Sequence, residues 1–127
     1  MDTPAKLMEM RKPWKKRDTT VYPDIGAARI EIVDDFGAFE IKPHGLVAGG
    51  VGRESYFILP DDPLSAKMET HWTEDNSRGT WAARTETFGS LTATRTHWIV
   101  WGRLEAYEGR KKLFEKEWNE EIERKLQ

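Results

Sequence analysis

The chain has 127 residues, and its 20 Lys and Arg against 22 Asp and Glu give a formal net charge of −2. This length fits one domain, and with 38% hydrophobic residues the core it can bury is modest. The absence of Cys excludes a disulfide framework, a thiolate zinc site and a cysteine nucleophile. The near-neutral charge argues against a dedicated nucleic-acid-binding domain. No apolar run approaches the ~18 residues of a membrane helix.

Residues 1–23 differ from the rest of the chain. Six bases stand here against Asp2, Glu9 and Asp18; they are Lys6, Arg11, Lys12, Lys15, Lys16 and Arg17. Three Pro residues interrupt any long helix, although a short helix over residues 5–12 stays open. We expect a flexible, solvated leader. The alternative is a basic arm for nucleic acid, an anionic membrane or an acidic partner.

From Ala28 onward the sequence favours strands separated by turns. Strands are predicted at 29–33, 39–41, 54–59, 68–72 and 81–88, with turns at 34–37, 60–63, 75–79 and 89–90. The Gly-rich segment 45–52 carries no phosphate-binding motif and is predicted to be a turn or bulge region. In the 68–72 strand, Met68, Thr70 and Trp72 share one face. In the next strand, Arg84 and Glu86 lie on one face and Trp81 on the other.

The C-terminal part of the chain is rich in Thr, Trp, Ile and Val from Leu91 to Tyr107, as strands prefer. The last element is ambiguous. Phe114, Trp118, Ile122 and Leu126 recur with helical spacing, yet residues 114–118 also alternate as a strand hairpinned to 104–107. We predict a strand to about Trp118. The fold class is therefore an all-β antiparallel sandwich over residues 24–127, preceded by the leader 1–23.

No residue pattern predicts catalysis by this chain alone. None of the Ser residues lies in the G-x-S-x-G turn that an α/β-hydrolase needs. His44, His71 and His97 are too scattered for a metal motif and are best interpreted as polar-face or rim residues. The carboxylate pairs at 34–35 and 61–62 flank turns, where Asp caps the backbone. We predict no catalytic residue, no metal and no cofactor.

Several segments together resemble a known family. They are Ile32–Gly37, His44–Val47, Pro60–Ala66, Trp72–Glu74, Ser77–Gly79 with Trp81, Arg84–Thr87, Leu104–Gly109, and Phe114 with Glu117–Trp118. In this order and spacing, from about Arg29 to Ile122, the sequence resembles the C-terminal domain of the X-Pro dipeptidyl-peptidase and cocaine-esterase-like (CocE/NonD) serine hydrolases.

The resemblance implies a jelly-roll β-sandwich related to galactose-binding-like modules. In that family the domain follows an α/β-hydrolase domain that holds the Ser-Asp-His triad. It packs on the catalytic domain, helps to wall the substrate cleft and takes part in oligomer contacts. The resemblance therefore implies a bacterial, cytoplasmic, hydrolase-associated module with no catalytic activity of its own.

The sequence departs from the family pattern in three ways. No part of this chain corresponds to the catalytic domain, so no triad position can be assigned. The match covers only about the last half of the jelly roll, and Thr80 stands where Asp is common. Half a sandwich exposes sheet edges and an apolar face. We therefore expect a homo-oligomer, or a separate α/β-hydrolase chain as partner, and no membrane or nucleic-acid partner.

Five residues are the candidate ligand or partner contacts: Trp72, Arg78, Trp81, Arg84 and Glu86. The Arg84–Glu86 pair is either a clamp for a ligand or partner or an ordinary charged pair on a strand. The aromatic residues either fill a core or form a stacking platform for sugars or bases. Three hypotheses follow: a non-catalytic module, a carbohydrate-binding module and one subunit of a split serine hydrolase.

Overall fold

The computed structural model describes residues 6–125, which form eight β-strands. The strands are β1 (Lys6–Arg11), β2 (Trp14–Tyr22), β3 (Ala27–Lys42), β4 (Leu46–Leu59), β5 (Asp62–Arg78), β6 (Trp81–Ala93), β7 (His97–Glu108) and β8 (Lys111–Glu123). Residues 6–125 contain no helix, so none that is long and apolar enough to cross a membrane. The prediction of an all-β fold is confirmed.

All eight strands belong to one open antiparallel sheet. From β3 to β8 each strand pairs with the next along the chain, while β1 and β2 share the free edge of β3. β1 pairs with residues 38–42 of β3, and β2 pairs with residues 27–35. The predicted antiparallel architecture is confirmed. One such layer is compatible with part of a jelly-roll-like sandwich.

The N-terminal segment requires a correction. The prediction of a flexible leader over residues 1–23 is wrong for residues 6–22, and the alternative helix over residues 5–12 is wrong from Lys6 onward. These residues are strands because β3, with 16 residues, presents a long edge of unpaired backbone groups that they satisfy. Residues 1–5 lie outside the described residues. The sheet crosses the boundary predicted at residues 23–24.

The pairing of β1 and β2 centres on Asp35, one of the few buried side chains. Its carboxylate accepts a hydrogen bond from the Gly37 backbone N–H at 2.8 Å and pairs with the Arg11 Nε at 3.0 Å. Burial tends to raise the pKa of Asp35, but the Gly37 and Arg11 contacts outweigh it and hold that pKa below its usual value. The predicted turn at 34–37 is instead a β-bulge that inserts Phe36 into β3.

The pairing register gives the sheet two chemically different faces, because successive side chains alternate. The side that we call the polar face carries Arg53, His71, Glu86, Glu105 and Glu115 in adjacent strands. The opposite side, the apolar face, carries Ile30, Tyr56, Met68, Leu91 and Val100 in one directly paired row. The predicted alternation is confirmed. Met68, Thr70 and Trp72 share the apolar face. Arg84 and Glu86 lie on the polar face, and Trp81 lies on the apolar face.

The sheet buries almost no hydrophobic side chain. In the described part of the chain only Ala27 and Ala38 qualify as a buried core. On the apolar face Trp98 and Trp118 remain 40% and 39% exposed. The interpretation of the Trp residues as core packing is therefore not realised by this chain alone, because no second layer covers them.

Several predicted turns lie inside strands. Most of the Gly-rich segment 45–52 belongs to β4, and only Gly45, with a φ of +76°, lies in a turn. Gly52 is required by packing, because a Cβ there would lie 2.7 Å from the Trp72 ring. The predicted turn at 89–90 falls within β6. Gly89 also lacks room for a side chain, since a Cβ would approach the Thr70 hydroxyl to 2.7 Å.

The ambiguous last element is a strand. β8 pairs with β7 through Glu123, so the prediction of a strand to Trp118 is confirmed and the strand continues five residues further. The helical spacing of Phe114, Trp118 and Ile122 does not produce a helix, because β7 offers backbone partners along the whole segment. Leu126 lies outside the described residues.

The close contact at Gly52 gives a stability prediction. Gly52→Ala should lower the free energy of unfolding by about 1–3 kcal/mol, because the new methyl group forces the Trp72 ring away. Gly102→Ala is the matched control in another strand of the same face, where the Cβ would lie at an ordinary 3.5 Å from the Trp118 ring. Urea denaturation of both variants at one protein concentration measures the difference. Equal losses would contradict the contact.

Candidate interaction surfaces

The five predicted contact residues do not form one site. Trp72, Arg78 and Trp81 lie on the apolar face, whereas Arg84 and Glu86 lie on the polar face. Arg78 is directly opposite Trp81 where β5 and β6 meet. Trp72 is six residues back along β5, about 20 Å away at strand spacing. The sheet therefore divides the predicted set into three places.

The three apolar-face members differ in their surroundings. Trp72 is half-buried and stacks on Phe36, with ring centroids 5.6 Å apart and an interplanar angle of 20°. Arg78 is exposed, and Trp81 exposes 44% of its surface. Only Trp72 is fixed by packing within the chain, so Trp81 is the member available to a ligand or partner.

The polar face is organised by a row of carboxylates. Glu86, Glu105 and Glu115 are directly opposite one another across β6, β7 and β8. Like charges in this position repel. The row is stable only if cations from neighbouring positions neutralise it.

Glu105 and Glu115 are neutralised by two shared cations. Arg103 lies 3.4 Å from Glu105 and 3.0 Å from Glu115, and Lys112 lies 3.0 Å and 3.1 Å from the same two carboxylates. The Tyr107 hydroxyl also donates a hydrogen bond of 2.6 Å to Glu105. Glu105 is 6% exposed, so this compact arrangement satisfies a nearly buried charge.

Glu86 is approached from the other side of the row by the Arg84 guanidinium and the His71 ring. The Arg84 Nε lies 3.8 Å from one of its oxygens, and the His71 Nε2 lies 3.4 Å from the other. The Arg84 guanidinium also lies 4.3 Å over the Tyr107 ring. Arg84 and Glu86 thus contact each other and their own sheet, which is the geometry of a structural charged pair.

The contacts of Glu105 and Lys112 favour the ionised form of both groups. The Tyr107 hydroxyl and then the Lys112 ammonium lower the pKa of Glu105, against the opposing effect of burial. Hydrogen bonds to Glu105 and Glu115 raise the pKa of Lys112. A carboxylate stabilised in this way is a poor proton donor near neutral pH. The network therefore stabilises the polar face and does not have the properties of an acid–base site.

The described part of the chain holds no cluster arranged as a metal centre, and its Ser65 is not free to act as a nucleophile. No group of three His, Asp or Glu side chains among residues 6–125 is arranged to hold a metal ion. Ser65 is engaged in its turn, since its hydroxyl donates to the Asp62 carbonyl and accepts from the Leu59 N–H. His97 contacts Thr96 through its Nδ1.

The apolar face holds a groove that sequence reasoning did not identify. Its volume is about 410 Å³, and it lies across β3 to β7. Its lining includes Ile30, Tyr56, Met68, Leu91 and Trp98. Alternation along each strand was the available signal, but only the register shows that these residues form one continuous surface.

One side of the groove carries a cation. Arg124 lies in its lining, donates a hydrogen bond to the Thr94 carbonyl at 2.9 Å and places its guanidinium 4.8 Å over the Trp98 ring.

No family model, curated protein or solved structure matches the chain. The two faces of the sheet are therefore the features on which a function can be based.

The charge network gives a pH prediction. The pKa of Glu105 is lower in the folded chain, so its ionised form stabilises the fold above its ordinary value near 4.5. This contribution is lost as the pH falls through the lowered pKa. The raised pKa of Lys112 preserves its own contribution until the pH exceeds 10.5.

We expect Glu105→Gln to lower the melting temperature most between about pH 5 and 9, and the difference from the parent chain to shrink as the pH falls below 4.5 and through the lowered pKa of Glu105. Glu121→Gln is the control, since Glu121 is exposed on the same face and has no ion pair in the described residues. Melting curves over pH 2–9 test this. A constant difference across the whole range would show that the charge of Glu105 is not involved.

Proposed function

We propose that this chain is a non-catalytic β-sheet module that packs against another protein layer through its apolar face. Its role is the packing, cleft-shaping or oligomerisation that the resemblance to the CocE/NonD C-terminal domain implies, beside a serine hydrolase in the cytoplasm. The observation that supports it best is the open apolar face, on which side chains as large as Trp98 and Ile58 remain 40% and 46% exposed.

The total surface supports the same proposal. A compact monomer of 14.7 kDa exposes about 6,900 Å². This chain exposes 9607 Å², which is about 2,700 Å² or 40% more than that expectation. The seven residues outside the described range are too few to account for such an excess. An excess of this size is what a single sheet layer with an uncovered face produces, and a large exposed apolar patch marks a site of interaction.

The internal charge pairing of the polar face makes the apolar face the better candidate for a docking surface. The carboxylates of Glu86, Glu105 and Glu115 already have cation partners within the chain. Arg103 and Lys112 use much of the Coulomb capacity of Glu105 and Glu115. Glu86 has the Arg84 Nε at 3.8 Å, without a hydrogen bond. The apolar face has no such internal compensation.

The chemistry of the described residues supports a non-catalytic role. Covalent hydrolysis needs a nucleophile activated by an adjacent base, and Ser65 is instead fixed in a turn. Any hydrolysis would come from a partner chain. Such a pair would be a split serine hydrolase acting on ester or X-Pro peptide bonds.

We expect the purified chain to hydrolyse p-nitrophenyl acetate no faster than its Ser65→Ala variant, which serves as the matched control. A serine-directed fluorophosphonate should label neither protein. The experiment is a rate measurement at several protein concentrations. Hydrolysis that rises with chain concentration and disappears with the inhibitor would overturn the non-catalytic role.

A carbohydrate-binding module is the second candidate, favoured by two exposed indoles on one face. Trp98 and Trp118 lie in neighbouring strands, and exposed aromatic rings can stack on sugars or bases. Titration of Trp fluorescence with a glycan panel separates the two functions. We expect no saturable shift with any glycan, in the parent chain or in Trp118→Ala. A saturable shift that Trp118→Ala abolishes would favour the carbohydrate-binding function.

A further inference from the structure

We infer that a second copy of this chain covers the apolar face, so that two sheets form one sandwich about a two-fold axis parallel to the strands. In this arrangement the β1/β2 edge of each copy lies over the β8 edge of the other. The inference rests on the proposed function, because it names the protein layer that the apolar face contacts.

The area of exposed surface fits one large interface between identical chains. Obligate dimers bury about 2,000–5,000 Å² in total, or about 1,000–2,500 Å² from each chain. The total excess surface of about 2,700 Å² slightly exceeds this range, so it is large enough to contain such an interface. A two-fold interface is self-complementary, so one patch on each chain suffices.

The dimensions of the sheet are matched by a second copy. The sheet is seven strands wide where β1 and β2 share an edge, which is about 30 Å at the usual strand spacing. A face of this width is covered in full only by a layer of similar size. A second sheet of the same chain packs at about 10 Å, with the apolar side chains of the two layers interdigitating.

The two edges of the sheet carry opposite charge, which distinguishes the possible axes. Residues 6–22 hold six Lys and Arg against two acids, a net +4. Residues 111–123 hold three Lys against five Glu, a net −2. An axis parallel to the strands places unlike edges over each other at both sides of the sandwich. An axis across the strands would instead place like edges together, which costs energy.

Arg17 and Glu120 are the residues that report on this orientation. The register places both on the apolar face, Arg17 in β2 and Glu120 in β8. Neither has an ion pair in the part of the chain that the structure describes. Across the proposed interface each lies at the rim, near the oppositely charged edge of the other copy.

Sedimentation equilibrium of the full chain tests the second copy. We expect a mass twice the chain mass of 14.7 kDa, and a dimer dissociation constant weakened by at least about 100-fold in Val100→Glu, which puts a charge within the apolar row, one strand in from the β8 edge. Ile99→Glu is the control, because it makes the same change one residue away on the polar face and should remain dimeric. Ile58→Glu is a second apolar-face variant, and far-UV circular dichroism confirms that each variant is folded.

Charge reversal tests the axis. Arg17→Glu should weaken the dimer by about five- to tenfold, as expected for loss of a rim charge pair and gain of repulsion. Combining it with Glu120→Arg should restore the dissociation constant to within about threefold. An unchanged constant in Arg17→Glu, or no restoration in the double variant, would overturn the proposed orientation.

The outcomes separate this inference from the proposed function. A folded monomer at all concentrations that forms a 1:1 complex with a co-expressed α/β-hydrolase chain, lost in Val100→Glu, overturns the dimer but preserves the packing module. An open series of oligomers also overturns it, because that indicates edge-to-edge pairing. A monomer that Val100→Glu leaves unchanged, with no complex, overturns both.

Discussion

A β-sheet needs a second layer to bury its apolar side, and this chain supplies only one layer. Backbone hydrogen bonds join β1 to β8 into a continuous sheet, but the hydrophobic effect gains little from it. The buried core of the described residues consists of Ala27 and Ala38. Everything that is unusual about the molecule follows from this lack, including its large surface, its open groove and its exposed indoles.

The two faces meet this constraint differently. On the polar face the charges of the carboxylate row are paired within the chain, since Arg103 and Lys112 bridge Glu105 and Glu115 and Arg84 lies near Glu86. The apolar face is incomplete, because dispersion and desolvation need contact with matching surface. The two faces of the sheet therefore differ in chemistry within the chain itself. Under the proposed function, the charged face would be the one that faces water.

Local patterns predicted the alternation of side chains but not where strands end. Turn residues at 34–37 and at 89–90 lie within strands, because ladder partners on both sides supply backbone hydrogen bonds that outweigh local turn propensity. The N-terminal segment was predicted to be a solvated leader because its sequence has no strong strand pattern. Their pairing depends on the Arg11–Asp35 contact, 24 residues apart, which no local window contains.

The same limit explains why the predicted contact set was divided between the faces. Alternation within one strand placed Arg84 and Glu86 on the face opposite Trp81. It could not relate them to Trp72 and Arg78 in the neighbouring strand, because only the register settles which residues of two strands share a face. The register also bears on the two interpretations of the Trp residues. Trp98 and Trp118 have the alternation of core residues and the exposure of binding residues. Under the proposed function, each would pack against a facing layer from another chain.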